Sequence, residues 1–500
     1  MNILKKSNQH LLEMLGENYP HDDKKHRLID FLIINDIDNG KAIFNTLTCS
    51  FIWMSNEEFN NVLKEDLHFN MLKYLWDNYF FVNDDFDEYE ASENLKTWLR
   101  PNVEHESYLK PGNIKSFTIL TTMACNARCF YCYEKGRPQT PMKADTARKV
   151  ADYIINTAVK DGSTIKLSWF GGEPLVNENV IDIICTKVKN AGFNYYSTFT
   201  SNGLLFKPEK LEKYRNLWHL KLGQITIDGT EEVYNKTKNY KNVKGKNPYE
   251  IVLNNCYFLM DHGISISIRI NVDNYNLEDV KKLIPELYWK LHLKSHKDMC
   301  NIYCYPIFEE GDYHRTDEEN EKLYEGLKEL DSILDSLDLR DIRRLPTDIK
   351  YSHCMVDSGE SVLISTQGDI GLCEHYSDDN FWGHIDDIKK KDIDMIKSFQ
   401  DYMPLTDLCK NCPIVPQCLR PKKCEDLKNC SIYIKDWHIR MFKEYVNNEY
   451  NLYKKSLEQK FINNNTCNCG EKCSCGEKCN CEETEKISLW KKILIKFGIK

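Results

Sequence analysis

Five hundred residues, 41% of them hydrophobic, are too many for one ordinary domain and enough to bury a sizeable core. Acidic residues outnumber basic ones 76 to 67, a balance of −9 that argues against nucleic acid as the main partner, since a phosphate backbone calls for a strongly basic face. The opening stretch MNILKKSNQH is no secretory signal and no apolar run reaches the length of a membrane span, so the 21 cysteines are expected in a reducing cytoplasm, as metal ligands rather than disulfides.

Residues 1–112 lack a cysteine cluster. Within them LIDFLIIND and KAIFNTLTCSFIWMS predict two strands joined at Asn39-Gly40. EEFNNVLKED and NMLKYLWDNY predict helices, and YFFVND a further strand. Pro111-Gly112 marks a seam. From 113 to 345 strands alternate with helices. Strand candidates lie at 116–122, 164–170, 195–200, 222–227, 265–272 and 301–307, and a charged helix covers 315–345. Repeated strand–helix units predict parallel strands with right-handed crossovers, hence an open or closed barrel with its chemistry at the carboxyl ends of the strands. Residues 346–435 hold the main cysteine group, 436–462 a helix, and 463–500 a low-complexity tail.

The triplet Cys125-x3-Cys129-x2-Cys132 begins just past the first barrel strand candidate. Zinc usually takes four protein ligands, often as two pairs. An isolated triplet suits an iron–sulfur cluster with one iron left open. Trp169-Phe170-Gly171-Gly172-Glu173-Pro174 ends the second strand candidate. Its glycines let backbone approach a ligand closely, and its carboxylate can accept hydrogen bonds from an ammonium group.

Together these motifs resemble the radical S-adenosylmethionine (radical SAM) enzymes. The resemblance implies that the methionyl amine and carboxylate of SAM chelate the open iron of a [4Fe-4S] cluster held by Cys125, Cys129 and Cys132. It sets Tyr131 against the adenine, and it assigns Gly171, Gly172, Glu173 and Pro174 to the segment that holds the SAM amine. TFTSNGLL, with Ser201 and Asn202, and QITIDGTEEVYNKTK, with Thr226 and Lys238, resemble the third and fourth barrel strands with their cofactor contacts. Many relatives carry arginine where Lys238 stands. Lysine lacks the planar two-pronged contact to carboxylate, a role to which Arg269 of the fifth strand candidate could contribute. A rim salt bridge is an equal alternative for Arg269.

Cys354, Gly368 and Cys373, followed by Cys409-x2-Cys412-x5-Cys418-x5-Cys424-x5-Cys430, resemble the seven-cysteine SPASM extension of peptide-modifying radical SAM enzymes. Relatives usually place three residues, not five, before the sixth cysteine. By this resemblance Cys409, Cys412, Cys418 and Cys430 hold an outer auxiliary cluster, and Cys354, Cys373 and Cys424 an inner one that is a ligand short. Cys300 and Cys304 are candidate donors for the missing position, and an open iron that binds a substrate thiolate is the alternative. A structural zinc module is the bland alternative for the whole set. Cys49, Cys185 and Cys256 have no partner at useful spacing and read as buried hydrophobes.

The fold class implied is α/β: a partial (β/α)6 radical SAM barrel, a carboxyl-terminal Cys-rich SPASM domain, and a small amino-terminal α+β domain. That first domain resembles the peptide-recognition domain of many peptide maturases, which grips a leader peptide at a sheet edge; a plain capping domain is the alternative. The tail repeats Cys467-x-Cys469, Cys473-x-Cys475 and Cys479-x-Cys481 with a period of six. It suits soft-metal binding, a substrate-like peptide, or delivery of metal to the body. ISLWKKILIKFGIK at the end suits peripheral membrane contact or docking on the protein itself.

The expected function is a maturase of a small Cys-rich precursor peptide, forming thioether crosslinks and fed by an external donor of flavodoxin or ferredoxin type. The cofactors are SAM, its cluster and up to two auxiliary clusters. Formylglycine formation, as in anaerobic sulfatase maturases, is the first alternative. Those relatives place an aspartate base after the second SPASM cysteine, where this chain has Glu374 and then His375. Carbon–carbon crosslinking and a non-catalytic electron-transfer or metal-storage protein are the others.

Overall fold

The computed structural model describes residues 1–465 apart from 65, 67, 244, 310–312, 341–342, 353, 377–379 and 425–429, with only the backbone given for 460–465. The expectations for the Cys467–Cys481 repeats and the basic end fall outside the described residues.

The amino-terminal module contains β1 (Asn2–Lys5), α1 (Gln9–Leu15), β2 (His26–Leu28), β3 (Leu32–Ile37), β4 (Gly40–Asn45), β5 (Phe51–Ser55), α2 (Asn56–Leu63), α3 (Phe69–Asp77), β6 (Phe81–Asn83) and α4 (Glu88–Leu99). Four strands form an antiparallel sheet in the order β1-β5-β4-β3, and β2 pairs with β6. The predicted hairpin turn is one residue off. Asp38 and Asn39, at φ 49° and 58°, make the turn, and Gly40 opens β4. A primed turn needs positive φ at both central residues, which Asp and Asn tolerate. Gly40 is required for another reason: a Cβ there would sit 2.3 Å from the Met54 carbonyl. The stretch 41–55 is also two strands rather than one. Asn45 Oδ1 accepts from the amides of Leu47 (2.9 Å) and Thr48 (3.2 Å) and turns the chain between β4 and β5.

Six parallel strands follow: β7 (Ser116–Thr122), β8 (Ile165–Gly171), β9 (Tyr195–Ser201), β10 (Leu220–Thr226), β11 (Ser265–Val272) and β12 (Cys300–Pro306). The helices between and after them are α5 (Ala144–Thr157), α6 (Glu178–Asn190), α7 (Leu211–Asn216), α8 (Glu231–Lys238), α9 (Pro248–Asp261), α10 (Leu277–Lys290), α11 (Leu293–His296) and α12 (Asp317–Ser336). Alternation along each strand sorts the side chains. Ile266, Ile268 and Ile270 of β11 are buried against the helix layer. Polar residues on the other face bond one another across strands, as Thr198 Oγ1 does to Ser168 Oγ (3.0 Å) and Tyr303 OH to Gln224 Oε1 (3.0 Å).

Register corrects one expectation. Cys300 and Cys304 pair with Ile266 and Ile270, so they share the helix-facing side. Burial raises both thiols; Cys300 also acts on Cys256 of α9, and Asp331 of α12 adds to the shift of Cys304.

Beyond α12 come α13 (Met355–Ser358), β13 (Ser361–Ile364), β14 (Asp369–Gly371), β15 (Phe381–His384), α14 (Ile393–Phe399) and α15 (Ile432–Asn465). Strand β13 lies parallel beside β7, and β14 and β15 extend the sheet to nine strands. This continuation was not expected from the sequence. Helix α15 is longer than the predicted 436–462. It packs on the amino-terminal sheet through Tyr450, which stacks on Trp53, and through Asn35, whose amide donates to the Lys443 carbonyl (2.7 Å). No helix among the described residues is long and apolar enough to cross a membrane.

Candidate active site

The cysteine loop leaves the end of β7 and returns beside it. Met123 N donates to Thr140 O (3.0 Å), and Met142 N to Thr121 O (3.0 Å). This brings Cys125, Cys129 and Cys132 together, all half-buried. Burial, with small additions from the neighbouring thiols, pushes Cys125 up to about 12 and Cys132 up to about 11. Thiols so placed ionise only against a nearby cation, as thiolate ligands of iron do. The Ala127 amide donates to Cys125 Sγ (3.4 Å), and Asn126 Nδ2 is buried with no partner. Three thiols, an amide aimed at sulfur and a spare donor fit a cluster that keeps one iron free of protein ligands. Among the described residues no three His, Cys, Asp or Glu side chains converge as the ligands of a single ion would.

The two glycines of the second motif admit the cysteine loop itself. Gly171 has φ +123°, and a Cβ there would lie 2.1 Å from the Thr122 carbonyl. A Cβ on Gly172 would lie 2.6 Å from Met123 O and 2.7 Å from Ala124 O. Glu173, wholly buried, then ties β8 to the end of β9. It accepts from Ser201 Oγ (2.9 Å) and from the amides of Asn202 (2.8 Å) and Leu175 (3.1 Å). Pro174 O accepts from Thr121 Oγ1 (3.0 Å). Asn202 reaches back with Nδ2 to Asn126 Oδ1 (2.7 Å) and lies 3.9 Å from Cys125 Sγ.

Burial pushes the Glu173 carboxyl up from 4.5 to about 7, because the bonds it accepts only partly offset desolvation. The folded state therefore keeps a proton that the unfolded chain has released. This contribution to stability is present below about 4.5 and is lost as pH rises through about 7. Chemical denaturation across that window should show the unfolding free energy of the wild type falling relative to that of Glu173→Gln.

A second knot gathers Tyr131, Thr226 and Lys238 around two residues that sequence inspection missed, Asp228 and Asn271. Lys238 Nζ lies 2.7 Å from Asp228 Oδ2 and donates to Thr226 Oγ1 (2.7 Å) and Tyr131 OH (2.9 Å). Burial alone would lower the Lys238 pKa, but Asp228, together with Tyr131, Cys129 and Tyr234, more than offsets it and holds the ammonium well above its ordinary range. Tyr131 OH donates to Asp228, which also accepts from the Asn271 amide (2.9 Å). Lys238 is thus engaged inside the protein. Arg269 is the planar cation of this rim: Nε donates to Asn271 Oδ1 (2.8 Å), and the guanidinium lies 4.9 Å from the Tyr305 ring centre. The findable signal was strand parity. Thr226 pairs with Arg269, and Asn271 follows two residues on, on the same face.

The distal cysteines form two electrostatic groups. Cys424 acts on both Cys354 and Cys373, Cys354 also acts on Cys373, and burial pushes the half-buried Cys373 up to about 12. Cys409, Cys412 and Cys418 all act on Cys430. Glu374 and His375 follow Cys373 and meet the first loop: His375 stacks on Tyr133 at 5.0 Å, and Arg137 Nη2 donates to His375 O (2.9 Å).

A parallel α/β sheet with a three-cysteine loop at its carboxyl edge defines the class, and the comparisons agree. Residues 119–286 match the radical SAM superfamily. The uncharacterized protein MJ0907 of Methanocaldococcus jannaschii is 27% identical over 294 residues, covering 57% of this chain and 93% of that one. The radical SAM cyclopropyl synthase TigE of Paramaledivibacter caminithermalis is 22% identical over 287 residues, covering 48% of this chain and 57% of TigE. The match thus spans little more than half of TigE. Native anSMEcpe with bound AdoMet superposes with a TM-score of 0.50 at 15% identity, covering 68% of this chain and 99% of that one, and shares the fold. The chain carries a radical SAM domain and is a radical SAM enzyme, and its cofactors are a [4Fe-4S] cluster and SAM.

Proposed function

We propose that this enzyme matures a small Cys-rich precursor peptide, joining cysteine sulfur to carbon as a thioether. The observation that supports the reading is electrostatic: Cys424 acts on Cys354 and Cys373, and Cys409, Cys412 and Cys418 act on Cys430. With Cys300 and Cys304 turned toward the helices, the three-thiol group of a SPASM-type centre has room for a thiolate from outside the chain. Cys125, Cys129 and Cys132 would hold the cluster, which with SAM would supply hydrogen-abstracting radical chemistry. The chain's own residues do the rest. Glu173 orients Ser201 and Asn202 at the loop, Arg269 offers a guanidinium to a carboxylate, and Tyr131 is held by Asp228 beside Cys132. The amino-terminal sheet, with β3 at its edge, would take the leader segment. An external one-electron carrier of flavodoxin or ferredoxin type would supply the reductant.

The test pairs reduced enzyme, SAM and a Cys-rich peptide encoded beside it. Each thioether removes two hydrogens and hides one thiol from alkylation. Carbon–carbon bond formation, a second reading favoured by the match to a cyclopropyl synthase, also removes two hydrogens but leaves every thiol free to alkylate. Deoxyadenosine without any change in the peptide would refute both.

A further inference from the structure

Helix α4 of the amino-terminal module presses a charged group against the Cys409–Cys418 loop. Lys96 is 1% exposed, and its Nζ donates to Val415 O (2.7 Å), Cys418 O (2.9 Å) and Glu93 Oε1 (2.9 Å). Three acceptors at those distances use all three hydrogens of an ammonium group. Arg420, two residues past Cys418 and also buried, donates Nη2 to Glu93 Oε2 (2.7 Å) and Nε to Met403 O (3.1 Å). Its Nη1 is buried with no partner. Two cations share one carboxylate, so the group is a net cation, in a chain whose overall charge is −9. An uncompensated buried cation with a spare donor is costly unless an anion lies near it. The candidate is the sulfur of Cys418, which acts on Lys96 and whose backbone carbonyl Lys96 holds.

We propose that Lys96, Glu93 and Arg420 set the reduction potential of the iron–sulfur centre held by Cys409, Cys412, Cys418 and Cys430, and so place that centre under the control of the amino-terminal module. The inference rests on the reading of the four thiols as a cluster ligand set. Reduction adds negative charge to such a centre, and a fixed cation behind it stabilises the reduced form and raises the potential. Lys96 and Glu93 both lie on α4, so the setting belongs to the module rather than to the cysteine loop.

The test uses the full-length protein, reconstituted anaerobically, with iron counted and each centre titrated by EPR at stepped potentials. Cys430→Ala identifies the centre by its loss; if no iron is lost, the ligand reading itself fails. Lys96→Gln should lower that centre's potential by about 59 mV, a tenfold change in its oxidised-to-reduced ratio at fixed poise for a one-electron couple. Glu93→Gln, which unmasks positive charge, should raise it, and Lys96→Arg should leave it near wild type. Should Lys96→Gln not assemble, the upward shift in Glu93→Gln decides alone. Potentials unmoved at full iron content, or moved in the same direction by Lys96→Gln and Glu93→Gln, overturn the proposal and leave these residues as fasteners of the loop.

Discussion

Exchange of Cys125, Cys129 or Cys132 for alanine is expected to reduce 5′-deoxyadenosine formation to background while the chain stays folded. The three thiols are half-buried on a loop and each contributes little core, so the change should fall on iron content and SAM cleavage. Cys256→Ala is the matching control. That thiol is buried on α9 against Cys300, away from the loop, and its loss should cost packing but leave cleavage in place. Anaerobic reconstitution, iron analysis and chromatographic detection of deoxyadenosine check both. Deoxyadenosine formed by Cys125→Ala at the wild-type rate would remove the basis for the proposed chemistry.

The second large effect is expected at Asp228. Its side chain is 0% exposed and that of Lys238 2%, and the carboxylate also holds Tyr131 and the Asn271 amide. Asp228→Ala leaves a buried ammonium with no counter-charge, a change that costs about 3–5 kcal/mol in comparable ion pairs. Urea unfolding should show a shifted midpoint at unchanged slope. Removing both charges in Asp228→Leu with Lys238→Met should recover much of that loss, because a buried pair replaced by apolar groups is often close to neutral. The double variant should still cleave SAM poorly, since Tyr131 loses its acceptor beside Cys132. If the double variant is as unstable as Asp228→Ala, the cost lies in the hydrogen bonds that Asp228 accepts from Tyr131 and Asn271 and not in the stranded charge.

The parallel sheet was legible because each strand is an apolar alternation bounded by turn residues, which places it within a residue or two. The cysteine loop and the Gly171-Gly172-Glu173-Pro174 turn were legible because they are contiguous. Asp228 and Asn271 were not, because each alone is an ordinary polar residue at a strand end and only folding brings both to Tyr131. The hairpin turn slipped by one residue because Gly40 looks like a turn glycine, whereas its real constraint is the Met54 backbone across the sheet. Strands β13 to β15 are too short to signal themselves, and their pairing to β7 is a long-range contact. Cys300 and Cys304 were candidates because the resemblance leaves the inner group a ligand short, and only the strand register reveals which side of the sheet they share.

Helix α15 bears on how such enzymes could be recombined. It starts two residues after Cys430, and Val446 and Tyr450 sit in one apolar cluster with Phe44, Trp53 and Cys412. A graft that exchanged only the first hundred residues would strip those side chains of their partners and unseat the segment carrying Cys430. A transplantable unit must therefore be discontinuous, taking the front of the chain together with residues 432–465.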